Sequence, residues 1–277
     1  MLNGLLGILY FLFRGRVGIE DPHEVNDIAR SFMVMRPLPH DAKLGDGPIG
    51  DAGNCRLVAL PKKVLPMSGK DRFLSFVEEA NVSFLDLKGT FKASEYETKT
   101  LGTRHRPAMT PVGEAVYAIT TTGRESHLAY ILTIPEQLGE VQKDIGLKER
   151  GSFIISTKNP QTSSPASANI GKSPDFPQAI LDEFRSLRWM PTQPKHLDYA
   201  NTNILLIGES SGLDKATEVQ PEDENKDNDT PLEEMEKLEG EDEIRVRHLK
   251  GMSLCDSTCF LLRLCSQEMI ASSLIWT

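Results

Sequence analysis

The chain has 277 residues, 39% of them hydrophobic and 26% charged, which is ordinary for a globular protein with a core of its own. The formal net charge of −9 is local: residues 214–243 hold 14 acidic and 3 basic side chains, a net of −11, which leaves the rest near neutral at +2. A near-neutral body argues against a basic nucleic-acid groove as the dominant feature, and four cysteines in a chain of this length make no disulfide scaffold.

In chain order, the run from Gly4 to Phe13 is apolar but about half the ~20 residues a membrane helix needs. Its charges, Arg14 and Arg16, follow the run rather than precede it, so a buried strand is expected and a signal peptide is not. A turn at Asp21–Val25 leads to a strand at Arg30–Arg36, stopped by Pro37 and Pro39. The loop from Pro37 to Asn54 carries Asp41, Asp46 and Asp51, five apart, unlike the closely alternating ligands of a calcium loop. A short strand, Arg56–Leu60, comes next. Phe73, Phe76, Val77, Ala80 and Phe84 then recur at helical spacing, with Ser68 or Asp71 as N-cap, and predict an amphipathic helix.

From Tyr96 to Pro160 the pattern is one of consecutive strands. Glu114–Thr122 and His127–Ile134, rich in β-branched and aromatic residues, flank Gly123-Arg-Glu-Ser126 as a hairpin. A strand at Ser152–Ser156 and a Pro/Ser/Gly-rich loop at Asn159–Ser173 follow. Asp175 and Pro177 then open a second amphipathic helix with Ile180, Leu181, Phe184 and Leu187 inward. Ile204–Ile207 is the last buried strand. Glu209–Asn228 has the composition of disorder, and Thr230-Pro-Leu-Glu233 is a capping box that starts a short helix at about 231.

These elements predict an α+β fold: one domain with a mostly antiparallel, curved β-sheet packed by two amphipathic helices, plus a disordered acidic C-terminal tail. The expected division is 1–208 for the body, 209–243 for the tail and 244–277 for an atypical C-terminus.

The chemistry concentrates around the hairpin. With a loop of four or five residues, Thr121 falls opposite His127 and Tyr117 opposite Ile131, so Tyr117 and His127 share a face. Arg104, His105 and Arg106 precede the hairpin by a short Pro-containing loop and can fold back over it. Arg104, His105, Arg106, Tyr117 and His127 are therefore the expected ligand-binding set. It would suit an anion, because guanidinium forks bind carboxylate or phosphate through two parallel bonds. A catalytic variant acts through His105, Glu114 and His127, with His105 as base, Glu114 as acid or base and Tyr130 as proton donor. No G-x-S-x-G, Cys/His pair or phosphate loop accompanies them. Cys255, Cys259 and Cys265 match no zinc spacing, and neither a metal nor a cofactor is expected. The expected setting is intracellular, cytoplasmic or nuclear, with reduced thiols and no membrane segment.

Seven motifs occur in order: Tyr96-Glu-Thr-Lys-Thr100, Gly102-Thr-Arg-His105, Gly113-Glu-Ala-Val-Tyr-Ala-Ile119, Ser126-His-Leu-Ala-Tyr130, Gly139-Glu-Val-Gln142, Ser152-Phe-Ile-Ile-Ser-Thr-Lys-Asn-Pro160 and Phe184-Arg-Ser-Leu-Arg-Trp189. From about Gly7 to Glu209 the chain resembles a family of uncharacterised fungal proteins with distant bacterial relatives, some labelled "BTB domain transcription factor". The resemblance implies no catalytic or binding residue, and no BTB strand-helix pattern is legible. The functional expectation is a binding or interaction module for an anionic small molecule or a protein partner. An enzyme acting on an anionic metabolite is the alternative, and a transcription-associated role follows from the family label alone.

Overall fold

Strand pairing organises the chain, and it closes on itself. The structure, a computed structural model, describes residues 5–19, 22, 24–38, 51–98, 102–122, 124–163, 172–210, 213–217 and 230–240. The loop segment with Asp41 and Asp46, the middle of the loop at 164–171, the acidic stretch at 218–229 and the expected C-terminal region from 244 lie outside them.

Among the described residues eleven strands run in chain order: β1 Leu5–Gly15, β2 Ile28–Pro37, β3 Cys55–Leu60, β4 Arg72–Val82, β5 Ser94–Thr98, β6 Gly102–Arg106, β7 Met109–Thr121, β8 Ser126–Ile134, β9 Arg150–Lys158, β10 Trp189–Pro191 and β11 Asn203–Gly208. The main sheet has the order β10-β9-β11-β4-β3-β2-β1-β7-β8, and β8 also pairs with β9, so eight antiparallel strands form a closed barrel with β10 extending beside β9. This corrects the expected α+β sheet under two helices. Closure removes the open edges that a sheet must otherwise protect.

Among the described residues only short α-helices accompany the barrel: α1 Phe84–Phe91, α2 Glu140–Asp144, α3 Gln178–Phe184, α4 Leu213–Ala216 and α5 Pro231–Gly240. None is long and apolar enough to cross a membrane. The helix expected across Phe73–Phe84 is strand β4. Its apolar residues satisfy both periods, and the period of two wins because Phe73, Ser75 and Val77 turn inward against β3 and β11. The helix proper begins only at Phe84. Ser83 accepts the Asp86 N–H at its N-cap, and the Asp51 carboxylate accepts those of Phe84 and Leu85. α3 is the second expected helix, shortened to seven residues, with Ile180 and Phe184 packed on Phe176 and Met190 outside the barrel.

An eight-stranded barrel is just wide enough for side chains to fill. Phe11, Tyr130 and Phe153 meet at its centre, with ring centroids 5.1 and 5.7 Å apart. Gly151, directly across from Tyr130, makes the room: a Cβ there would stand 2.6 Å from the phenol ring. The outer wall is covered as well, which explains why β1 is apolar on both faces. α1 lays Phe84 on Tyr10 at 5.4 Å and buries Leu87 and Phe91. Where α4 and α5 meet β7, β8 and β9, Glu209, Leu213, Ala216 and Met235 are buried. α5 starts on its capping box, with the N–H of Thr230 donating to Glu233 and that of Glu233 to Thr230.

Candidate functional site

The expected site residues separate onto three surfaces. Arg104, His105 and Arg106 lie on β6, which pairs with β5 alone as a two-stranded ribbon. Cross-strand register places Ser94 opposite Arg106 and Tyr96 opposite Arg104, so one face of the ribbon carries Tyr96, Arg104 and Arg106. The other carries Glu95 and Glu97 with His105 and Thr103, and His105 Nδ1 lies 3.8 Å from Glu95 Oε1. His105 is thus half of a solvated pair rather than a base beside Glu114.

The hairpin exists, but its register differs by one residue from the expected one. Thr120 faces His127 and Tyr117 faces Tyr130. A shift of one residue sends a side chain to the opposite face. Tyr117 therefore points into the barrel, and His127 lies on the outer wall, 3% exposed. There the expected anion is already present within the chain: His127 Nδ1 donates to Glu209 Oε2 at 2.9 Å, and Ser152 Oγ donates to the same oxygen at 2.8 Å. Ser152 gives its proton to the carboxylate and not to the imidazole, so this trio is a buried clasp rather than a nucleophile and its base.

Glu114 stands on the outer wall opposite Tyr10. Burial pushes its carboxyl up to about 8 against the opposing charge of Arg36, whose guanidinium lies 4.8 Å over the Phe84 ring. Cys55, buried nearby, is raised to about 11 by the same loss of water, which makes it a poor nucleophile. His196 behaves oppositely. Its Nδ1 accepts the Gln193 N–H at 3.1 Å, so the proton sits on Nε2, and burial, helped by Lys195, pushes the imidazole down to about 4. Among the described residues no group of three His, Cys or carboxylate side chains gathers as a metal set.

These two groups predict a pH profile. The native state holds the Glu114 proton that an unfolded chain releases near 4.5, so stability falls as pH rises from there to about 8. Native His196 refuses the proton that an unfolded chain takes near 6.5, so stability also falls as pH drops from 6.5 to about 4. The slopes, each about 1.4 kcal/mol per pH unit at most, cancel between 4.5 and 6.5, and only the Glu114 loss remains up to 8. Urea unfolding from pH 6.5 to 8 is expected to show the decline in the natural chain and a flat line in Glu114→Gln. A variant that keeps the slope would remove Glu114 as its source.

Sequence reasoning missed Arg56, Asp198, Arg36 and Glu209. Arg56 and Arg36 did leave a signal, since each is a charge at one end of a run that is apolar on both faces, Leu57–Leu60 and Phe32–Met35. Asp198 and Glu209 left none, because an acid in a polar segment reads as solvated until its neighbour is known. Compared with family models, curated proteins and solved structures, the chain finds no match.

Proposed function

We propose that the barrel is a rigid scaffold for a protein-interaction element, the β5–β6 ribbon, and that its partner presents an acidic segment. The ribbon carries this reading. It is hydrogen-bonded to no barrel strand among the described residues, and an isolated two-stranded ribbon is marginal in water without something to pack on. Its Tyr96/Arg104/Arg106 face offers an aromatic surface with two guanidiniums, suited to carboxylates or phosphates of a partner chain. Positive charge deepens at its base. Buried Arg14, held by the carbonyls of Pro107 and Thr90, has its pKa pushed down to about 10 by burial and by neighbouring Arg106.

The ribbon is ill suited to a second copy of itself. Antiparallel pairing of two β5 edges about Tyr96 would set Glu95 against Glu97, and like charges directly opposite repel. The enzyme reading has less support, since His105, Glu114 and His127 occupy a ribbon and two differently covered parts of the outer wall. The proposed setting is intracellular, where the free, buried Cys55 thiol persists.

The test is fluorescence polarisation with synthetic acidic peptides, phosphorylated and not, against the natural chain and Arg104→Glu/Arg106→Glu. Saturable, salt-sensitive binding that weakens at least about tenfold in the double variant is expected. Equal binding by the two chains, or none by the natural one, would overturn the ribbon as contact element.

A further inference from the structure

One end of the barrel, where β1, β3 and β11 begin and β4 and β9 finish, is stopped by the 3-10 segment Pro194–Asp198. Leu197, 1% exposed, enters the barrel core as a stopper. The next residue, Asp198, meets Arg56, whose side chain rises from β3 on the inner face opposite Met35.

The bond is one-sided. Arg56 Nε and Nη2 both donate to the same oxygen, Asp198 Oδ1, at 3.0 and 2.6 Å, rather than gripping both oxygens as a two-pronged pair would. Among the described residues Arg56 Nη1 has no hydrogen-bond partner, and neither does the Tyr117 hydroxyl, although both are buried. Tyr117 lies flat across β1 because the facing residue is Gly7, whose Cβ would stand 2.7 Å from the ring. Burial raises the hydroxyl's pKa, opposed first by the charge of Arg56 and also by a contact of its guanidinium with the phenol oxygen that falls short of hydrogen-bond geometry, so the phenol keeps its proton beside the guanidinium.

Two unused N–H and O–H donors beside a cation ask for an acceptor with negative charge, and a buried donor without one costs free energy. Asp198 is a partial occupant. Its side chain is 34% exposed, against 5% for Arg56, so a change of its rotamer alone can vacate the position. Around the donors the inner face is apolar, with Ile119, Leu128 and Leu197, and the barrel centre beyond is filled by the Phe11–Tyr130–Phe153 rings.

We propose that this end of the barrel binds a small monocarboxylate with a short apolar tail, whose carboxylate replaces Asp198 on Arg56 and receives the Tyr117 hydroxyl. Both carboxylate oxygens are then used, Nη1 gains its acceptor, and the tail takes the place of Leu197 against Ile119 and Leu128. The site is separate from the ribbon and stands whether or not the ribbon binds a partner.

The probe is hexanoate added to the full chain, followed by NMR, with hexanamide as the uncharged match of the same shape. Hexanoate is expected to shift signals of Ile119, Leu128 and Leu197 saturably and to bind at least about tenfold more tightly than hexanamide, as a charge-assisted bond should. Tyr117→Phe, which keeps the ring and loses the hydroxyl, is expected to weaken hexanoate about tenfold. Asp198→Asn, which removes the competing charge, is expected to tighten it by a similar factor. The proposal is overturned by no saturable shift at those residues, by equal binding of hexanamide, or by unchanged affinity in folded Tyr117→Phe. It is also overturned if a crystal grown in hexanoate holds only an ordered water between Arg56 and Tyr117.

Discussion

Replacing Gly151 by alanine is expected to destabilise the barrel by about 3 kcal/mol or more, at the upper end of what overpacking a core costs. The added methyl would stand 2.6 Å from Tyr130 Cζ and Oη and 2.7 Å from Cε1, closer than real Cβ atoms approach anything. Tyr130 cannot retreat, because it is 1% exposed and wedged between the rings of Phe11 and Phe153. In a domain of this size such a loss lowers the melting temperature by roughly 6 to 12 °C. A double-mutant cycle identifies the cause. In a Tyr130→Ala background, itself destabilised by a cavity, Gly151→Ala is expected to cost little, since the atoms it strikes are gone. An equal cost in both backgrounds, measured by urea unfolding, would refute the ring contact as the reason for glycine at this position.

Glu209→Ala is the second large effect. It strips the carboxylate oxygen that His127 Nδ1–H and Ser152 Oγ–H share, and a buried donor left unsatisfied costs about 1–3 kcal/mol. The damage should be directional. Glu209 leads into α4, which is fastened further on by Thr120 Oγ1 donating to the Ala216 carbonyl. Amide exchange at 213–217 is therefore expected to quicken before exchange in β7–β9. Glu209→Gln keeps a carbonyl oxygen for both donors and should cost less, about 1–2 kcal/mol for the amide N–H it leaves buried. Glu236→Ala is the control: its partner Arg150 and Glu236 itself are 48% and 44% exposed, and the change should stay within about 0.5 kcal/mol. If Glu209→Ala behaves like Glu236→Ala, the clasp holds nothing.

Much of the barrel wall was legible as strands: the apolar run at β1, the Pro-stopped β2, the β7–β8 hairpin and the buried runs at β9 and β11. Their partners were not. β11 pairs with β4 across more than a hundred residues, Ile204 meeting Ser75, and β8 closes on β9 with His127 beside Ile154. Such pairings are chosen by which faces can be buried together, and no local pattern records the choice. β4 shows the same limit. Phe73, Phe76, Val77, Ala80 and Phe84 suit a helix as well as a strand, and the neighbours β3 and β11 decided for the strand.

The candidate site divided in the same way. That Arg104 and Arg106 would alternate onto one face of a strand follows from the period of two, which is covalent geometry and needs no partner. Whether His127 would join them depended on a hairpin register one residue from the expected one, which put it outside the barrel and Tyr117 within. Composition likewise determined an acidic stretch after a near-neutral body, but not that its first carboxylate, Glu209, would be 7% exposed. An acid's sequence context sets its charge and spacing. Its desolvation and its hydrogen-bond donors come from strands far away in the chain, and only the closed barrel brings them to it.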